Sequence, residues 1–211
     1  MNILKPGRLD YTAALDLQNR LVTDVVAGTA EETLILLEHE PVYTIGRTRD
    51  QSSLGAAMPF PVFETNRGGQ ATYHGPGQLT GYPILDLNER GRDLHLYLRF
   101  LEGFLIDFAA TYGVEAQRRD GLTGVWVGSR KLASLGVGVK KWVAMHGFAI
   151  NIKRESAVAF QHITPCGLTG VEITSLERES GMEIDFTESM DRAAQMFVEA
   201  LAKGLQKIRT L

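Results

Sequence analysis

Apolar residues recur at helical spacing between positions 10 and 27. Tyr11, Ala14, Leu15, Leu21, Val22, Val25 and Val26 form one stripe, with Asp10 as a good N-cap and Gly28 as a natural stop. Thr33–His39 (TLILLEH) is a short apolar run that predicts a buried strand; Pro41 ends it, and Val42–Ile45 resumes extended structure. Residues 49–61 read as a polar loop of small residues. A further strand is predicted at 82–87, where Pro83 favours a strand start or a sheet edge. A second helix is predicted over 93–112, capped by Asp93 and closed by Gly113, with Gly103 interrupting its middle. Extended pieces follow at 114–117, 124–127, 131–139 and 143–152. Residues 155–182 are irregular, and a last helix covers 187–207 with Thr187 as N-cap.

Helices at both ends and in the middle, with many strands between, predict an α+β or mixed α/β fold rather than a regular βαβ alternation. No stretch repeats with a period of 20–50 residues, and no linker splits the chain. One domain over 1–211 is expected, with room for a small C-terminal lobe after about residue 153. The chain has 211 residues, 44% hydrophobic and 22% charged, with a net charge of −3. Such a chain supports its own core without staples. The charge balance gives no sign of a nucleic-acid partner. The longest apolar run is four residues, far short of the roughly 20 that span a bilayer. The N-terminal residues have no apolar h-region, so no secretory signal is predicted and a cytoplasmic protein is expected. The single cysteine, Cys166, excludes an internal disulfide and a Cys-rich zinc site.

Glycine is unevenly spread. Of 22 glycines, five fall in 67–81 and six in 121–147. Either these are tight turns, or the main chain there lines something closely. The first cluster, Arg67-Gly-Gly-Gln-Ala-Thr-Tyr-His-Gly-Pro-Gly-Gln78, is not a Walker A loop, and no Gly-x-Gly-x-x-Gly opens a helix after a strand. No sequence warrant for ATP or a dinucleotide exists.

Cys166 lies in Thr-Pro-Cys-Gly-Leu, a bend with little bulk around the sulfur. It is either buried filler or a nucleophile. A nucleophilic thiol needs a base or cation beside it, because at an ordinary pKa only a few per cent is thiolate at pH 7. Lys131, in Ser129-Arg-Lys-Leu-Ala-Ser-Leu-Gly136, stands out. On a strand it shares a face with Ala133 and Leu135, unless it is a solvated strand-end lysine. His74 and His146 fall in glycine-rich segments and rank above His39 and His162, which read as structural residues.

Four segments together carry a resemblance. They are Glu38-His-Glu-Pro-Val-Tyr-Thr-Ile-Gly46; the 67–79 segment; Gly128–Gly136 with His146-Gly-Phe-Ala-Ile-Asn151; and Pro165-Cys-Gly-Leu168 with Thr174-Ser-Leu176. In this order and spacing, over about residues 11–176, the chain resembles the lipoyl(octanoyl) transferases. Glu40 departs from the pattern, where an apolar residue or proline is expected.

The resemblance implies the fold of biotin and lipoate protein ligase catalytic domains, a mixed sheet flanked by helices. It implies Cys166 as nucleophile and Lys131 as its activator. It implies that Arg67, Gly68, Gly69, Gln70, Ala71, Thr72, Tyr73 and His74, with Ser134, Leu135, Gly136, Gly147, Phe148 and Ala149, line the substrate. The implied donor is octanoyl-acyl carrier protein. The implied acceptors are lipoyl domains of 2-oxoacid dehydrogenase E2 subunits and the glycine cleavage H protein, with no metal or cofactor, nucleic acid or membrane involved. Thioester-to-thioester and thioester-to-amide exchanges need no nucleotide, which agrees with the missing Walker A loop. An ammonium stabilising the thiolate by about 2 kcal/mol would bring the thiol pKa from about 8.5 to about 7. Burying seven carbons of an octanoyl tail would contribute about 5 kcal/mol. Acidic partners imply a local basic rim drawn from Arg47, Arg49, Arg67, Arg118, Arg119, Lys140 and Lys141. The competing readings are an ATP-driven lipoate or biotin ligase, a non-enzymatic acyl-protein binding module, and a cysteine hydrolase.

Overall fold

The structure, a computed structural model, describes residues 1–164 and 170–208. Its main sheet is built from β1 (Asn2–Leu4), β2 (Arg8–Leu9), β3 (Thr33–His39), β7 (Gln78–Ile84), β8 (Gln117–Arg119), β9 (Leu122–Val127), β10 (Arg130–Lys140) and β11 (Val143–Asn151). The order is β1-β3-β7-β11-β10-β9-β8, with β2 also paired to β3. Only β1 and β2 run parallel to β3; the other ladders are antiparallel, so the sheet is mixed.

Helices cover both faces, which is why β3 reads as a continuous apolar run. Leu34 and Leu36 pack beneath α2 (Leu94–Ala110) and α4 (Phe186–Ile208), with Phe104, Phe108 and Phe197. Ile35 and Leu37 face α1 (Tyr11–Ala27) with Ala14 and Val22. The first helix begins and ends where its pattern predicts. The Asp10 carboxylate accepts from the Ala13 N–H, and Gly28 closes the helix in a left-handed conformation. Asp93 caps α2 through the N–H groups of His95 and Leu96. Gly103 does not break that helix, and the Arg118 guanidinium packs against it on its way to Glu102.

A second sheet, β5-β4-β6, stands apart from the first: β4 (Val42–Ile45) pairs parallel with β5 (Val62–Glu64) and antiparallel with β6 (Thr72–His74). It packs through Tyr43, Tyr73, Phe60, Phe160 and Ile163 onto a 3-10 run, Arg154–His162. The short helix α3 (Leu176–Ser180) follows.

The pattern erred in several places, among them the strand expected at 82–87, which runs from Gln78 to Ile84. Pro83 sits in a central strand, not at an edge. The backbone of Leu85 and Leu87 points to the β11 side, accepting from the Ala144 N–H and donating to the Trp142 carbonyl. By alternation Pro83 points there too, where His146 adopts a left-handed conformation (φ 57°) and pairing with β7 stops at Phe148, so no ladder donor is lost. The last helix is capped by Asp185, which accepts from the Glu188 N–H, and not by Thr187. The extended piece expected at 114–117 is irregular over 114–116, and β8 starts at Gln117.

Candidate active site

The segment 67–71 links the two sheets. The Arg67 guanidinium is buried and donates to the Thr44 carbonyl (2.8 Å), the Thr44 hydroxyl (2.7 Å) and the Gly68 carbonyl (3.0 Å). Its backbone carbonyl accepts from the Arg47 N–H, and the Gly68 N–H donates to the Val137 carbonyl. This stitching needs close main-chain approach. A Cβ on Gly46 would lie 1.7 Å from the Gly69 oxygen, and one on Gly136 would lie 2.8 Å from the Gly68 oxygen. Of the clustered glycines, Gly77, Gly121 and Gly128 occupy positive-φ turns, whereas Gly69, Gly136 and Gly147 line an opening with backbone.

What they line is a cleft between the main sheet, the start of α1 and the 67–74 segment, with about 460 Å³ of space that includes open solvent. Arg67, Gly69, Gln70, Ala71, Thr72, His74, Ser134, Leu135, Gly136, Gly147, Phe148 and Ala149 all border it. Two expected residues do not. Gly68 borders an adjoining groove, and Tyr73, pointing opposite to its neighbours Thr72 and His74, packs into the Tyr43–Phe60–Phe160 cluster. Tyr11, Tyr82 and His146 border the cavity without having been expected as liners. Only His146 had a sequence signal, its glycine-rich setting; the tyrosines arrive through the cap of α1 and the register of β7.

The groove, about 1110 Å³ of open space, shares Gly69, Gln70, Leu135 and Gly136 with the cavity. Lys131 borders it and is only 2% exposed. Its Nζ lies 5.5 Å from the centroid of the Trp126 ring, within range of a cation–π contact. Gly124 (φ 137°) makes room, since a Cβ there would lie 2.9 Å from Lys131 Cε. A register shift between Lys131 and Ala133 interrupts the simple alternation of β10 against β9. Lys131 is thus no solvated strand-end residue.

Cys166, like the rest of Pro165–Leu168, lies outside the described residues. Its flanks are fixed. Before it, the Thr164 N–H donates to the Ser53 carbonyl and Ile163 bridges to Leu54. After it, the Lys131 N–H donates to the Glu172 carbonyl (2.8 Å), and the Thr174 N–H donates to the Lys131 carbonyl (2.9 Å). The chain leaving the Pro-Cys-Gly segment is therefore bonded to the backbone of Lys131 itself.

A cluster of aromatic and imidazole rings closes the α1 side of the cavity. His39 and His74 have ring centroids 5.5 Å apart, and Tyr11 lies 5.4 Å from His39. The Leu9 carbonyl can only accept, so His39 Nδ1 carries the proton and Nε2 accepts from the Tyr82 hydroxyl (2.6 Å). His39, which reads as a structural residue in the sequence, belongs to this cluster. Burial pushes the pKa of His39 down to about 4 and that of His146 down to about 4. Burial, then the neighbouring His39 and Arg67, holds His74 well below 6.5. In the unfolded chain all three take a proton as pH falls through about 6.5. Between there and pH 4 the unfolded state binds more protons, so stability present above pH 6.5 is lost on acidification. His39→Gln is expected to lose about 2 kcal/mol less than the unsubstituted protein between pH 7 and 4.5. Urea titrations at the two pH values check this, and equal losses refute it.

The basic rim expected from the sequence is only partly present. Arg67 is buried, Arg49 pairs with Glu64, and Arg118 pairs with Glu102. Arg119 stacks over Trp126, 4.9 Å from the ring centroid. Arg47 is exposed at the groove. No helix among the described residues is long and apolar enough to cross a membrane.

A mixed sheet flanked by helices, with a buried lysine beside a glycine-walled cavity, defines a class. The chain belongs to the lipoyl protein ligase A/B catalytic domain family, which it matches over residues 10–198. The particular relatives are octanoyltransferases. One from Geobacter sulfurreducens is 54% identical over 205 residues, covering 97% of this chain and 86% of the relative; one from Geobacter metallireducens is 48% identical over 210 residues, covering 100% and 98%. Among solved structures, a putative lipoate protein ligase from T. acidophilum with bound lipoic acid superposes with a TM-score of 0.69 at 11% identity, covering 99% of this chain and 92% of that one. At that identity the likeness shows the fold alone.

Proposed function

We propose that this chain is a lipoyl(octanoyl) transferase that moves an octanoyl group, in lipoate biosynthesis, from acyl carrier protein to a lysine of lipoyl domains through a thioester on Cys166. Octanoyl transfer rests on the octanoyltransferase relatives at about half identity over nearly the whole chain. The observation that carries the mechanism is Lys131, buried at the groove that adjoins the cavity and bonded through its backbone to the segment that follows Cys166.

The Cys166 thiolate attacks the donor carbonyl and expels the donor thiolate, which takes a proton from the Lys131 ammonium. The acceptor lysine then attacks the Cys166 thioester, its proton passes to Lys131, and the sulfur leaves as thiolate beside a restored ammonium. Atoms and charge balance over the cycle with no nucleotide, metal or other cofactor. The fatty tail occupies the cavity, where Leu135, Phe148, Ala149 and the glycine walls remove it from water. Backbone N–H groups near Gly136 or in the Pro-Cys-Gly bend stabilise the oxyanions. The acceptors are lipoyl domains of 2-oxoacid dehydrogenase E2 subunits and the glycine cleavage H protein. The protein works in the cytoplasm as one catalytic domain.

Intact-protein mass spectrometry after incubation with octanoyl carrier protein tests this. One octanoyl group on Cys166, discharged on adding a lipoyl domain, is expected. Attachment that requires ATP and free octanoate would make the protein a ligase. Free octanoate as the main product would make it a hydrolase, and no adduct would leave a binding module.

A further inference from the structure

The groove beside Lys131 adjoins the cavity proposed for the octanoyl tail and opens on its other side to solvent. We infer that this groove is a binding site for the phosphopantetheine arm of the donor, with Arg47 receiving the phosphate at its outer end. The inference rests on the acyl-transfer reading and deepens it.

Three observations carry it. The groove joins the cavity at Gly69, Gln70, Leu135 and Gly136, so a thioester placed at this junction has its acyl chain on one side and its thiol arm on the other. The groove has a depth axis set by its two cations: Lys131 is buried at the inner end, and Arg47 is exposed. The same groove has apolar walls from Leu98, Trp126 and Val137, which suit a flexible aliphatic arm carrying amides. The charge also has one sign. Among the described residues no Asp or Glu borders the groove. The adjacent carboxylates are engaged: Asp50 accepts from the Ser52 N–H and from Gln70, and Asp93 caps α2. Among the described residues the Arg47 side chain has no ion-pair partner, in contrast to Arg49 and Arg118. An arm that is neutral along its length and anionic at its far end matches this order of walls and cations.

The experiment compares octanoyl-pantetheine with octanoyl-phosphopantetheine as donors, neither attached to protein, in the unsubstituted protein and in Arg47→Gln. The phosphorylated donor is expected to have a kcat/KM about tenfold higher in the unsubstituted protein. That ratio is expected to fall to about twofold or less in Arg47→Gln and to recover in part in Arg47→Lys. It should also shrink as salt is raised. Equal use of both donors by the unsubstituted protein, or an unchanged ratio in Arg47→Gln, overturns the arm site while leaving acyl transfer intact. Transfer from neither donor, nor from octanoyl carrier protein, overturns the acyl-transfer reading itself.

Discussion

Lys131→Met is expected to lower octanoyl transfer by about a thousandfold without unfolding the protein. The methionine keeps the length and apolar character of the lysine stem. It fits the space left by Gly124 against Trp126, so the fold should be kept, which a thermal melt checks. On the proposed mechanism, what disappears is the group that stabilises the thiolate and carries the proton in both half-reactions. Lys131→Arg separates these two duties. A guanidinium keeps the charge but cannot give up a proton near neutral pH. The arginine variant should therefore form some octanoyl adduct on Cys166, while discharge to a lipoyl domain lags far behind. Quenched mass spectrometry of each half-reaction measures both. A methionine variant with more than about a tenth of the original rate would remove Lys131 from the mechanism, since proton-transfer catalysis is worth at least a hundredfold.

How far the sequence reaches can be judged from particular residues. Elements stated by a local signal were legible: α1 between Asp10 and Gly28, α2 behind Asp93, and β3 as an apolar run. The short strands β1, β2, β5 and β6 were not, because two or three residues carry no periodicity. They exist through the partners they pair with. Pro83 misled because the rule that keeps proline at edges concerns a donor, and the left-handed turn at His146 had already removed the acceptor side of that ladder. Twelve of the fourteen expected lining residues reach the cavity, since the glycine clusters mark where main chain must come close. Tyr11 and Tyr82 escaped notice because nothing local distinguishes a cavity tyrosine from a core one. Lys131 showed the opposite case. Its burial depends on Gly124, on a neighbouring strand, whose missing side chain leaves room for the stem.

Gly147→Ala should be the most damaging small substitution in the sheet, lowering stability by about 3 kcal/mol and the melting temperature by about 10 °C. Gly147 lies on β11 beside the register pair Phe148–Gly81, and it borders the cavity. An added Cβ would stand 2.4 Å from the Gly81 carbonyl oxygen and 2.7 Å from Pro83 Cδ. Neither atom can swing away, because one belongs to the backbone of the central strand β7 and the other to a proline ring. Relief requires β7 and β11 to part locally, which would also deform the cavity wall. Gly128→Ala is the control. Gly128 has φ 58° but nothing within 4 Å of an added Cβ, so its cost is conformational only and should be about 1 kcal/mol. Thermal melts of the two variants distinguish steric from conformational glycine. If Gly147→Ala melted within about 3 °C of the unsubstituted protein, roughly the shift that one kcal/mol produces at this size, the close approach of β7 and β11 would not be what fixes the cavity wall.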